Sequence, residues 1–187
     1  MQRPLVKGSA LIDAIAVVRR RYGEPGVQAV LATLEGEAQE LLRGKLLAND
    51  WYPLDVMTSF MAAGIRIHSG GDETVVIDRA ERVVERQLGG IYRIFIRLGS
   101  PEHIIRRLGA IHQTYFEHVQ VEPSFTEERR ARIRYTGFGP QHRIMEPAIV
   151  GFYRKALQLS GAKDVMARIT APLSEQNRML EVEIAWS

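Results

Sequence analysis

The spacing of apolar residues changes near residue 118, and this change limits the folds open to the chain. Before it, apolar residues recur every three or four positions, the period of a helix with one buried face. After it, "RRARIRYTGF" (129–138) alternates, with Ala131, Ile133 and Tyr135 on one side and Arg130, Arg132 and Arg134 on the other. That pattern is a half-buried antiparallel strand whose arginines form the wet face. "HVQVEP" (118–123) alternates too, as do Val165, Ala167 and Ile169. The last alternating run is Leu180, Val182, Ile184 and Trp186, with Glu181 and Glu183 facing out. Between the two pairs of strands, Glu146-Pro147 opens a helix carrying Ile149, Phe152, Tyr153 and Ala156, and Gly161 closes it. "APLSEQNR" (171–178) joins the last two strands as a hairpin. The chain therefore reads as α+β: an N-terminal helical part followed by β-β-α-β-β, with a four-stranded antiparallel sheet. No linker-like tract divides residues 1–187, so a single domain is expected, helical over about 8–117 and sheet-containing over about 118–187.

Glycines and prolines punctuate the helical part. Ser9 is placed to cap a helix to about Tyr22, with Leu11, Ile15, Val18 and Tyr22 on one face. Arg19 to Arg21 suit the negative end of its dipole, and Gly23 stops it. Shorter helices are expected over about 27–34 and 36–47. "NDWYPLD" (49–55) breaks the pattern, and Pro53 suits the first turn of a helix that buries Leu54, Met57, Phe60, Met61 and Gly64. After the loop "HSGGDET" (68–74), Asp72 or Thr74 caps a helix with Val76, Ala80, Val83, Val84 and Leu88 in one stripe, ended by Gly89-Gly90. "IYRIFIRL" (91–98) fits both periods, and the flanking helices favour a helix there. Ser100-Pro101-Glu102 is a helix start, with a capping side chain followed by proline. The helix it opens, to about Glu117, puts Ile105, Leu108, Gly109, His112, Tyr115 and Phe116 on one side, so His112 is expected to face inward.

Composition narrows the chemistry. The chain has no cysteine, which excludes disulfides, thiol catalysis and every cysteine-containing zinc site. Its formal net charge is +3, and lysine accounts for only four of the 25 basic residues (Lys7, Lys45, Lys155 and Lys163). The arginines are spread along the chain and not gathered in a stripe, so no nucleic-acid partner is expected. No uncharged run of about 18 residues occurs, so no membrane span is expected. No small-residue cleavage site follows the opening apolar run, and a cytoplasmic protein is expected. "GFGPQHR" (137–143) lacks the rest of a dinucleotide fingerprint and reads as a tight turn. There is no Gly-x-Ser-x-Gly elbow and no Walker lysine, while Glu35, Glu37 and Glu40 read as a solvated helix face. No other histidine has metal-site spacing with His112. The chain is expected not to be an enzyme.

Three segments resemble the superfamily that joins the heme-nitric-oxide/oxygen-binding (H-NOX) domains with the 4-vinyl reductase domains, and within it a paralogous family of myxobacterial proteins. "VKGSALIDAIAVVRRRYG" (6–23) is similar to the opening helix of H-NOX domains. "LGAIHQTYF" (108–116) resembles the helix that supplies their heme-ligating histidine. "IRYTGFGPQHRIMEPAIVGFYRKALQLSGAKDVMARI" (133–169) resembles the strand, turn, helix and strand that follow. The resemblance places His112 where the proximal heme ligand would sit, and a neutral imidazole on an apolar face suits heme iron. The chain departs from the family at the Tyr-x-Ser-x-Arg pattern that holds the heme propionates. It reads Tyr135-Thr136-Gly137-Phe138-Gly139, so glycines stand at the serine and arginine positions, and Arg143 lies just beyond as a candidate substitute. The metal-binding cysteines that often accompany the 4-vinyl reductase side are absent. The resemblance thus implies a non-enzymatic ligand-binding sensor whose apolar pocket takes a small hydrophobic or lipid-like molecule without a cofactor. Its expected lining is His112, Tyr115, Tyr135, Phe152 and Trp51. Two alternatives stand beside it: a heme-based gas sensor with His112 as ligand, and a protein-interaction or scaffolding module that works without a ligand through a protein partner or as a homodimer.

Overall fold

A computed structural model of the chain describes residues 2–88 and 100–187, and in it the change of period at 118 separates helices from sheet. The helix expected over 91–98 and the Gly89-Gly90 stop lie outside the described residues. The elements run β1 (Leu5–Lys7), α1 (Gly8–Leu31), α2 (Gly36–Arg43), β2 (Trp51–Pro53), α3 (Leu54–Ser69), α4 (Val75–Leu88), α5 (Pro101–Tyr115), β3 (Phe116–Glu117), β4 (Gln120–Glu127), β5 (Arg130–Thr136), a 3₁₀ turn (Pro140–His142), α6 (Met145–Leu159), β6 (Met166–Ala171) and β7 (Leu180–Ala185). The fold is α+β, and its four-stranded sheet is antiparallel throughout in the order β4-β5-β7-β6.

The sheet follows from the alternation. Across the central pair, Ala131 faces Ile184, Ile133 faces Val182 and Tyr135 faces Leu180, and all six are completely buried. The intervening residues pair Arg132 with Glu183 and Arg134 with Glu181 on the wet face. There Glu181 receives Arg132 at 3.3 Å and Arg134 at 3.1 Å. Opposite charges directly across strands support this register at little cost in solvation. Pro123 falls within β4, an edge strand, where its missing N–H removes no bond the interior of the sheet needs. Helix α6 covers the apolar face: Tyr153, Ala156 and Leu157 are buried, and the Tyr153 hydroxyl meets that of Tyr135 on β5.

Several boundaries differ from the sequence expectation, each for a physical reason. The first helix does not end at Gly23. That glycine takes a left-handed φ of 69° and kinks the helix, which then resumes through Pro25 to Leu31. Ser9 is not its cap either: the Gly8 and Ser9 amides donate to the carbonyls of Asp50 and Ala48, so the 48–50 loop satisfies the helix start. Helix α2 stops at Gly44 and does not reach 47. Pro53 occupies the N-cap position before α3, one place earlier than expected. A second, three-stranded sheet in the order β2-β1-β3 joins the N-terminus, the "WYP" segment and the end of α5. Strands this short contain at most one alternation, so periodicity does not reveal them. Helix α5 begins as expected, with the Ser100 hydroxyl accepting from the His103 amide at 3.3 Å and Pro101 first in the helix, and it ends at Tyr115, where the chain enters β3. Replacing Ser100 with alanine is expected to lower stability by about 1 kcal/mol, read from urea denaturation at constant slope. Among the described residues, no helix is long and apolar enough to cross a membrane.

Candidate functional site

The helices line a partly open apolar cavity of about 230 Å³. Its walls come from five helices and β3: Ala14, Val17 and Val18 of α1, Met57, Phe60 and Met61 of α3, Val76, Ala80, Val83 and Val84 of α4, Ile111, His112 and Tyr115 of α5, Phe116 of β3, and Ala148, Ile149 and Phe152 of α6. Each set repeats at three- or four-residue intervals because each helix turns one face inward. Helix α6 is apolar on two sides, since Phe152 faces the cavity while its neighbour Tyr153 faces the sheet. Polar groups are few. The charged lining residues are Asp13 of α1 and Arg79 of α4.

His112 is the buried polar group of the α5 wall, 7% exposed. Its ring stacks on Phe116 at 5.9 Å and meets the rings of Tyr135 and Phe152 edge-on at 5.2 and 5.4 Å. Nε2 lies 3.1 Å from the Tyr135 hydroxyl, which lies 2.6 Å from the Tyr153 hydroxyl. Burial pushes the imidazole down to about 4, so the ring is neutral near pH 7. Burial likewise pushes both phenols above the usual tyrosine range. Two proton arrangements satisfy this chain of neutral groups. Either Tyr153 donates to Tyr135 and Tyr135 to Nε2, or Nε2–H donates to Tyr135 and Tyr135 to Tyr153. In both, Nε2 and the Tyr135 hydroxyl are engaged within the protein, and His112 presents a ring that is part of the wall.

Of the five residues expected at the pocket, His112, Tyr115 and Phe152 line the cavity. Tyr135 stands behind His112 as its hydrogen-bond partner, completely buried. Trp51 stands apart on β2, half-buried, with the Lys7 ammonium 4.5 Å from its ring. Two groups were not anticipated. Tyr153 completes the polar chain; its position beside Phe152 was visible, but not the residue it meets. Arg79 lies between Val76 and Val83 in the apolar stripe of α4, and a charge inside such a stripe is the signal that marks it. A further polar cluster was also missed. His142 is completely buried, accepts from the Gly139 amide at Nδ1 (2.8 Å) and therefore donates from Nε2 to Asp55 (2.8 Å). Burial lowers the affinity of His142 for a second proton more than Asp55 raises it. Burial pushes the Asp55 carboxyl up, but His142 and Arg3 together outweigh it and hold the group below its ordinary value. This cluster pins the 139–142 turn to the start of α3.

The residues present do not fit heme. At 230 Å³ the cavity is below the range of about 300–1,000 Å³ usual for ligands of ordinary drug size. Nε2 of His112 is engaged by Tyr135, the residue placed by resemblance in the propionate-binding pattern. The pattern's other two positions are glycines, and Arg143 is exposed and not part of the cavity wall. Gly137 has a φ of 101°, and a Cβ there would overlap the His118 carbonyl oxygen, so the backbone itself leaves no room for the missing serine. Among the described residues no group of three or more histidine, aspartate or glutamate side chains is arranged to hold a metal ion.

No protein-family model matches the chain, and no curated protein matches it by sequence. Solved structures do. An unliganded Fe(II) H-NOX protein from K. algicida superposes with a TM-score of 0.71 at 12% identity, covering 97% of this chain and 96% of that one. The S. oneidensis H-NOX protein in its Fe(II)NO state gives 0.72 at 10% identity, covering 97% and 99%. An oxygen-binding H-NOX domain related to soluble guanylate cyclases, in its oxygen complex, gives 0.69 at 11% identity, covering 97% and 95%. Across nearly its whole length, and with little sequence in common, this chain has the H-NOX fold.

Proposed function

We propose that this chain is a non-enzymatic regulatory domain that binds a small apolar ligand in the cavity beside His112. The apolar cavity carries this reading, because it lies where the helical half closes over α6 and its histidine is already satisfied by Tyr135. The ligand-bound H-NOX structures support it by analogy of fold, since they hold small diatomic ligands. Here the apolar lining, not a metal, supplies the binding energy. Burying apolar surface contributes about 25 cal/mol per Å², so a ligand hiding roughly 200 Å² gains on the order of 5 kcal/mol before the entropic cost of association. Ligand would favour whichever packing of α4 against α6 leaves the cavity open, and the surface built by those helices would report the change to a protein partner or a second copy of the chain. The Arg154–Glu81 and Lys155–Glu85 ion pairs bridge the two helices at 3.1 and 3.0 Å and would move with them.

Absorption spectroscopy and mass spectrometry test the reading together. Freshly purified protein is expected to be colourless and to remain without a Soret band after incubation with hemin. Small apolar compounds at about a hundred times their Kd are expected to stabilise it by about 2.7 kcal/mol, a rise of roughly 5–10 °C in Tm. A Soret band that His112→Ala removes would establish the heme-sensor alternative in its place.

A further inference from the structure

Building on the ligand-binding reading above, we propose that the cavity takes a small amphiphile with a carboxylate head, and that Arg79 holds that head. Arg79 is the cationic member of a mostly apolar wall. Its Nη2 donates to the Ser69 hydroxyl at 2.9 Å and to the Tyr22 hydroxyl at 3.3 Å, which fixes the guanidinium plane. Tyr22 is itself held by stacking on His68 at 4.0 Å. The Nε–H of Arg79 is buried and has no acceptor. Native proteins rarely leave a buried donor unanswered, because the lost solvation is not regained. No ion pair among the described residues uses Arg79, so its charge borders the cavity without a carboxylate of its own. A ligand oxygen at Nε answers the donor, and a negative one answers the charge as well.

The rest of the cavity sets the ligand's size and charge. Asp13 lines the same space and is not free, and its carboxylate disfavours a second negative charge on the ligand. The head is therefore a monoanion. An engineered cavity of about 150 Å³ accepts benzene, and this one is roughly half as large again. The tail is accordingly one ring or a short chain, set among Val17, Met57, Phe60 and Phe152, and not a long lipid tail.

The test compares octanoate with 1-octanol, which share a chain and differ in charge, by NMR titration of the full chain. Wild-type protein is expected to bind octanoate about tenfold more tightly than octanol. In Arg79→Gln that preference falls to within about twofold, octanoate losing more affinity than octanol, and Arg79→Lys recovers part of it. Equal binding of acid and alcohol by the wild-type protein overturns the carboxylate assignment but leaves the apolar-ligand reading standing. A preference that survives in Arg79→Gln moves the head away from Arg79 and also overturns it. Binding of neither compound overturns both readings.

Discussion

Gly137→Ser is expected to lower stability by about 4 kcal/mol and Tm by on the order of 10 °C, measured by circular-dichroism melting. Two costs combine. The residue sits at a φ of 101°, where any side chain is strained, and the added Cβ would run into the backbone of the neighbouring segment at His118 and Val119. Backbone cannot swing aside as a side-chain tip can. Gly139 provides the contrast. Its φ of −115° is ordinary, and a Cβ there would meet only the amide end of Gln141, which can rotate away. Gly139 is itself buried, so the control is the small change Gly139→Ala, which is expected to cost less than about 1 kcal/mol. If the two variants melt together, the close crossing of residues 118 and 137 is wrong. If they separate as expected, a side chain is tolerated at 139 and the serine of the propionate-binding pattern is not tolerated at 137. The missing clamp is then a consequence of how the chain crosses itself, and substitution alone would not return it.

The same contrast shows what a sequence exposes. Periodicity reports which face of an element is buried, so the inward side of α5 with His112, the alternation of β5 and β7, and the apolar residues of α6 were all readable. It does not report what lies across the gap. Tyr135 and Tyr153 each stood on a recognisable buried face, yet their hydroxyl contact depends on how α6 lies on the sheet. Asp55 and His142 are separated by 87 residues, and neither has a local pattern that names the other. Trp51 was expected to line the pocket; instead its segment is drawn into a strand by pairing with β1, a long-range bond with no local trace. Gly23 and Pro25 read as the end of a helix because each disfavours continuation locally. Packing of Val27, Val30 and Leu31 into the core outweighs that preference and carries the helix past the kink.

Acid is expected to remove about 3 kcal/mol of stability through His112 alone as pH falls from about 6.5 to about 4. The unfolded chain binds a proton at this histidine near its ordinary value of 6.5, while the folded chain, with the ring buried against Tyr135, Phe116 and Phe152, does not until about 4. Between those values the unfolded state holds more protons, so protonation pulls the equilibrium toward unfolding; above 6.5 and below about 4 this contribution is flat. His142 has the same sign, its burial outweighing the attraction of Asp55. Glu146 opposes them weakly, because burial raises its carboxyl above the usual value and the folded state takes up that proton first. Both tyrosines stay neutral across the range and add nothing to the slope. Urea denaturation at half-unit pH intervals separates the contributions. His112→Leu, which fills the same apolar space without titrating, is expected to flatten the profile between 6.5 and 4 and leave a shallower slope from His142 and the carboxyl groups. An equally steep profile in that variant would mean that the imidazole at 112 reaches water in the folded protein, and the wall it forms beside the cavity would have to be redrawn.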